Sequence, residues 1–402
     1  MAHLNRQYPT MNFPHHRRTI SRLLQKRLAA YPRRDESYDR LQEGLGQFAD
    51  FLMDGSSGMR FSADAVGRVR DLLERPVFIG GNMKSGTTLM LQLLDGGEEV
   101  LALPGDTHLV NKYLDERHEF RSLTRTWIKR LVNPTGKEPF WFLGKDESGW
   151  RTFVEALRFA CGEEGWRNDV ERVVFAIHRA LGWERARVWV EKTPRNELHV
   201  DRLLELYPNA RFLHMFRCPL ENVASIKKLA AVRNRAFSAL GSQPLKRYFE
   251  KGMQNAEEMP ERYLIVRYED LVRDPREEMR RVGRFLGLEW TEGFCVPSEN
   301  GRPARSNSMY SEERVRGQVR DQSRRRKWEE VLTEEEKRAV VGELWETAVK
   351  AGYESWREPE VSRYRQTGEV SWLRRVLGGL RRRGARLLPG PGGQKPLGGK
   401  RE

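Results

Sequence analysis

Residues 76–94, Pro-Val-Phe-Ile-Gly-Gly-Asn-Met-Lys-Ser-Gly-Thr-Thr-Leu-Met-Leu-Gln-Leu-Leu, constrain the fold more than any other stretch of the chain. Val77 to Ile79 is a short apolar run bounded by Pro76 and by Gly80-Gly81, the pattern of a buried strand that ends in a tight loop. From Thr87 onward Leu89, Met90, Leu93 and Leu94 recur at helical spacing. The stretch therefore reads strand, glycine loop, helix. In that arrangement the loop's backbone N–H groups and the free N–H groups of the first helical turn converge on one spot. Lys84 adds a full positive charge, and Ser85, Thr87 and Thr88 add hydroxyl donors around Gly86. Such a construction holds a phosphate.

The order of residues narrows the ligand. A Walker-type loop carries its lysine after the glycine, as Gly-Lys-[Ser/Thr]. Here the lysine comes first, in Lys84-Ser85-Gly86-Thr87-Thr88. At these residues the sequence resembles the sulfotransferases that use 3'-phosphoadenosine 5'-phosphosulfate (PAPS). Their 5'-phosphosulfate loop is a strand followed by Lys- or Arg-Ser-Gly-Thr-Thr and a leucine-rich helix. Two later segments extend the resemblance. Val188 to Val190 is a short buried strand followed by Glu191-Lys-Thr-Pro194, which matches the family's strand-x-Lys-[Thr/Asp]-Pro. The resemblance implies that Lys192 reaches the sulfuryl group or the bridging oxygen. Phe212 to Phe216 is an apolar strand, Arg217 follows at its C-terminal end, and Pro219 opens a helix. Arg217 and Ser225 match the family's clamp on the 3'-phosphate, a group that a planar guanidinium can bind bidentately. Cys218 departs from the more usual Asp or Asn between Arg and Pro. Asn222 and Lys227-Lys228, further along, add polar or positive groups to the same helix.

A base is also needed. Leu101-Ala-Leu is an apolar stub, and Pro104-Gly105 reads as the turn that ends it. Asp106 and His108 leave that turn at the end of the sheet where ligands bind in such folds. In the family branch that includes the tyrosylprotein sulfotransferases, an acidic residue followed by threonine is the general base. Asp106-Thr107 resembles that pair, with Asp in place of Glu. His108 is the rival, because other branches use histidine. A histidine near pH 7 is already a fit proton acceptor, whereas an aspartate needs its pKa raised by burial. Both stand as candidates.

The resemblance spans roughly Val77 to Tyr353 and implies an α/β fold: a P-loop-like parallel sheet flanked by helices on both faces. The expected organisation is an N-terminal helical accessory region (1–75), a catalytic domain (76–355) and a basic tail (356–402). Residues 111–187 form an insertion whose tryptophans and phenylalanines read as core or as an apolar acceptor wall. Tyr263 to Val266 is a further strand, and Tyr268-Glu269 after it reads as a buttress for the nucleotide loops. In the family a late basic, serine-rich loop folds over the donor; Ser323, Arg326 and Lys327 are the matches here. The implied reaction moves a sulfuryl group from PAPS to a hydroxyl or amine, leaving adenosine 3',5'-bisphosphate, and needs no metal.

Composition adds bounds. The 402 residues carry a net charge of +15 with 38% hydrophobic and 32% charged residues. Such an excess suits an anionic nucleotide, nucleic acid or an anionic membrane surface. No nucleic-acid motif is evident. The tail, with Trp372, Val376, Leu377 and Leu380 opposite several arginines, is a candidate for peripheral membrane contact. The three cysteines, Cys161, Cys218 and Cys295, are far apart and suggest a reducing compartment. No signal peptide and no apolar run of about 20 residues is visible, so a cytoplasmic protein is expected. The acceptor is expected to be a small or lipid-like molecule; its identity and the oligomeric state are not legible. Two other classes remain on sequence grounds, a P-loop kinase or NTPase and a non-catalytic binder of anionic surfaces.

Overall fold

Side chains alternate across a strand, and the central strands of this chain are apolar on both sides. That is the condition for a parallel sheet covered on both faces. The computed structural model describes residues 57–107, 147–232, 235–237, 243–304, 316–321 and 326–365. Five strands, β1 (Pro76–Gly81), β2 (Val100–Asp106), β3 (Val188–Lys192), β4 (Arg211–Phe216) and β5 (Tyr263–Arg267), form one sheet in the order β2-β3-β1-β4-β5. Every pairing is parallel.

The helices are α1 (Ala63–Leu73), α2 (Thr87–Leu94), α3 (Glu147–Gly162), α4 (Asp169–Leu181), α5 (Val200–Leu206), α6 (Pro219–Val232), α7 (Gln243–Glu258), α8 (Tyr268–Arg273), α9 (Pro275–Leu286), α10 (Lys327–Val331), α11 (Glu334–Lys350) and α12 (Pro359–Ser362). Phe78, Leu101, Trp189 and Phe212 point to one face and pack with α1, α3, α4 and α5. Val77, Ile79, Val190, Leu213 and Met215 point to the other and pack with α2, α8 and α9. Phe78 is the hub of the first face, with the rings of Trp189, Tyr207 and Phe212 each 5.8 Å away. Each such fully buried side chain contributes about 1.5–3 kcal/mol over an exposed one.

Three sequence expectations meet this architecture. Val69, Leu72 and Leu73 of α1 belong to the same core as Phe78, so the end of the N-terminal region is built into the domain. Phe153, Trp166 and Phe175 of the insertion are buried in that core too, with the Trp166 and Phe175 ring centroids 5.3 Å apart. Beyond the boundary expected at 356, Trp356, Val361 and Tyr364 are buried with Trp328 and Leu344 in a third apolar cluster. His108, Ser323, Trp127, Trp141 and the basic tail segment lie outside the described residues.

The strand order places the ligand end. From β1 the chain runs toward the β2 edge, and from β4 it runs toward β5. The crevice between β1 and β4 is therefore the topological switch point, where open α/β sheets bind ligands outside their C-terminal strand ends.

Candidate active site

The first wall of that crevice is backbone. At Gly80 an added Cβ would sit 2.7 Å from Glu197 Oε2. At Gly81, whose φ is 129°, it would sit 2.7 Å from the Met215 carbonyl oxygen. The missing side chains let the Gly81 N–H donate to the buried Glu197 carboxylate at 2.7 Å. Asn82 then donates to Asn222 Oδ1 at 2.6 Å, and Asn222 donates to the Met83 carbonyl at 3.1 Å. Lys84 is held left-handed, with φ of 68°, at a cost of roughly 1–2 kcal/mol. Gly86, with φ of 105°, opens α2 without a side-chain cap. The first-turn N–H groups of α2 thus face the loop with no side-chain acceptor from the cap position.

The second wall comes from β4. Arg217 follows Phe216 and donates from one terminal nitrogen to the Lys84 carbonyl at 2.9 Å and to Ser225 Oγ at 3.4 Å. Its guanidinium lies 4.6 Å from the Tyr268 ring centroid and 3.6 Å from Glu221. Tyr268 touches the first wall as well, since a Cβ on Gly86 would lie 2.6 Å from its Cδ2. Below it, Glu269 accepts from the Cys218 N–H at 3.0 Å and from the Tyr353 hydroxyl at 3.4 Å. Ser85 Oγ and Arg217 Nε are buried with no hydrogen-bond partner among the described residues. Each wall thus carries one buried donor without a hydrogen-bond partner among the described residues.

Lys327 also approaches this region. Burial pushes the Glu221 carboxyl up, while Arg217, the Trp328 N–H and Lys327 pull against it. Trp328 donates its N–H to Glu221 at 3.3 Å, which ties the late segment to α6. Arg326 makes its ion pairs with Glu329, Glu358 and Glu360, none of which belongs to either wall. Lys227 is paired with Glu336 at 2.6 Å.

The third side is the corner between β2 and β3. The strand β2 does not stop at Pro104-Gly105 as the sequence suggests. Its pairing shifts between Ala102 and Asp106 and then resumes, with Asp106 opposite Lys192. A proline is tolerated because β2 is an edge strand, and Gly105 supplies the positive φ, 76°, that such an irregularity needs. The result is an ion pair between Lys192 and Asp106, and Lys192 Nζ also donates to Thr88 Oγ1 at 3.3 Å. Lys192 is buried and Asp106 is 38% exposed. Burial lowers the Lys192 ammonium to about 8.

Two carboxyls beneath this surface escaped the sequence reading. Glu191 is fully buried and accepts from Thr107 Oγ1, from Thr193 Oγ1 at 2.6 Å and from Asn196 Nδ2 at 2.6 Å. Burial pushes it up and those bonds pull it down. Glu197, under the glycine loop, is pushed up to about 7 by burial. The available signal was an acid placed directly after Val188-Trp-Val190, where a covered strand leaves little water.

A parallel sheet whose glycine loop meets Arg217 at the switch point defines an α/β protein with a P-loop-like strand–loop–helix. The chain belongs to the sulfotransferase family, whose model matches residues 76–292, more than half of its length. Among curated relatives, the omega-hydroxy-beta-dihydromenaquinone-9 sulfotransferase Stf3 of Mycobacterium tuberculosis is 24% identical over 248 residues, covering 54% of this chain and 64% of that one. The protein-tyrosine sulfotransferase of Drosophila melanogaster is 26% identical over 237 residues, covering 56% of this chain and 40% of that one. The match therefore spans less than two thirds of either relative. Among solved structures, a sulfotransferase domain from the curacin biosynthetic pathway aligns with a TM-score of 0.46 at 16% identity, covering 69% of this chain and 96% of that one.

Proposed function

We propose that this chain transfers a sulfuryl group from PAPS to an acceptor hydroxyl or amine. The observation that carries the reading is the 2.9 Å bond from Arg217 to the Lys84 carbonyl. It joins the loop matched to the 5'-phosphosulfate and the residue matched to the 3'-phosphate in one crevice. Lys84, Ser85, Gly86, Thr87 and Thr88 hold the 5' end; Arg217 and Ser225 hold the 3'-phosphate, with Lys327 near them. The donor supplies the activated sulfuryl group, and the remaining tasks fall to side chains of this protein.

Lys84 and Lys192 offset the charge that grows on the leaving 5'-phosphate oxygen as its bond to sulfur breaks. Positioning and electrostatics dominate such a transfer, by analogy with phosphoryl transfer. Asp106 takes the acceptor proton as the new sulfur–oxygen or sulfur–nitrogen bond forms. Lys192 is paired with Asp106, which sets the two groups side by side at the ends of β2 and β3. The names of the relatives, a menaquinone derivative in one case and protein tyrosine in the other, support a hydroxyl-bearing acceptor, and we favour a small or lipid-like one. Cys161, Cys218 and Cys295 are free thiols, which supports a reducing, cytoplasmic setting.

Calorimetry with adenosine 3',5'-bisphosphate and with adenosine 5'-monophosphate tests the donor site. The bisphosphate should bind at least about tenfold more tightly, and Arg217→Ala should erase the preference. No binding of the bisphosphate would overturn the reading. Labelled PAPS, offered with a long-chain alcohol, a phenol, a sugar and a tyrosyl peptide, then identifies the acceptor class.

A further inference from the structure

Asp106 and Lys192 need fixed positions, yet Asp106 sits on an edge strand directly after a break in the ladder. We propose that Glu191 is the positioning residue that fixes both, an inference that rests on the transferase reading above. Its carboxylate has no exposed surface and lies where three strands end. One oxygen accepts from Thr107, the neighbour of Asp106, and from Thr193, the neighbour of Lys192. The other accepts from Asn196 Nδ2, which also donates to the Ile79 carbonyl at 3.1 Å. The Thr193 N–H reaches the same carbonyl at 3.3 Å. One buried group therefore ties the ends of β1, β2 and β3 together.

The tied residues flank the working ones. Alternation along β3 puts Glu191 and Lys192 on opposite sides of the strand, so Glu191 acts through its neighbours and not on the reacting atoms. A carboxamide copies part of this set. In Glu191→Gln the amide oxygen keeps the bonds from Thr107 and Thr193, the ones that flank Asp106 and Lys192, and only the Asn196 spoke is lost, because Nδ2 donates and cannot accept. In Glu191→Ala all of these bonds lose their hub, the one from the Thr107 backbone included.

Turnover with labelled PAPS and the best acceptor of the panel, bisphosphate affinity and thermal melting are measured on each variant. Glu191→Gln should keep kcat within about threefold. Glu191→Ala should lose about 30- to 100-fold in kcat, while bisphosphate affinity changes by less than about threefold, because both anion walls lie on β1 and β4. Thr107→Val removes a single spoke at nearly constant volume and should lower kcat about tenfold with affinity kept, so the test survives if the alanine variant does not fold. Unchanged kcat in Thr107→Val, or equal losses of kcat and affinity in Glu191→Ala, would overturn the positioning role alone. Absence of any turnover by the unaltered chain would instead overturn the transferase reading, and this inference with it.

Discussion

The β1–β4 side of the site and the β2–β3 side are made of different materials. On the first, backbone does the holding: two glycines that admit no Cβ, a left-handed lysine, an uncapped helix start, and a carbonyl that receives Arg217. On the second, side chains do it: a buried ammonium, its carboxylate partner, and a carboxyl hub beneath them. The first side should be sensitive to adding atoms and should report through binding. The second should be sensitive to removing atoms and should report through rate.

The largest effect expected from that contrast is at Lys192. Lys192→Ala should lower kcat by about 10²-fold or more, since it deletes a charge matched to the transition state. Bisphosphate affinity should stay within about threefold. A matching loss of affinity would break the contrast and assign Lys192 to the donor grip. The pH profile sharpens it. Burial holds the ammonium at about 8, so kcat/KM for the donor should fall as pH rises through about 8 and the charge is lost. A bound anion favours the charged form, so the corresponding limb of kcat should lie at higher pH. Lys192→Arg, charged throughout this range, should abolish the limb in both.

A smaller effect, of opposite character, is expected at Gly86. The Cβ of Gly86→Ala would meet Tyr268 at 2.6 Å on a backbone with φ of 105°. Stability should drop by about 1–3 kcal/mol, and bisphosphate affinity about tenfold, with kcat at saturating donor nearly kept. Tyr268→Ala in the same chain removes the contact but not the backbone strain, so urea melts should show partial recovery. Full recovery would mean that φ at this position is not what the loop requires.

The same difference of material explains what could be read in advance. Lys84-Ser-Gly-Thr-Thr, Lys192 and Arg217 were legible because each follows a short apolar run, so a local pattern already places it at a strand's C-terminal end. The β2–β3 corner was not. Pro104-Gly105 reads locally as a turn, and only pairing with β3 carries the strand through it to set Asp106 opposite Lys192. Glu191 reads locally as the start of a solvated loop; its donors arrive from Thr107, through both hydroxyl and backbone, and from Thr193 and Asn196, and the first of these is 84 residues away. Trp356 and Tyr364 were illegible for a similar reason, because they find their apolar partners only in the folded chain.

Glu197 is where the two materials meet, a side chain whose task is to receive a backbone N–H, and it gives the subtlest test. Burial raises its carboxyl from 4.5 to about 7. Between those values the folded chain binds a proton that the unfolded chain has released. Stability from this group is therefore full at low pH and is lost as pH rises through about 7. Glu197→Gln stays neutral at every pH and still offers Gly81 an acceptor oxygen. Measured by urea denaturation at pH 5 and pH 8, the variant's stability relative to the native chain should rise with pH, by up to about 3 kcal/mol across the full window. A flat difference would mean that the carboxyl keeps one charge state throughout. The glycine loop would then rest on a permanently charged or permanently neutral partner, and its grip on an anion would not respond to pH through Glu197.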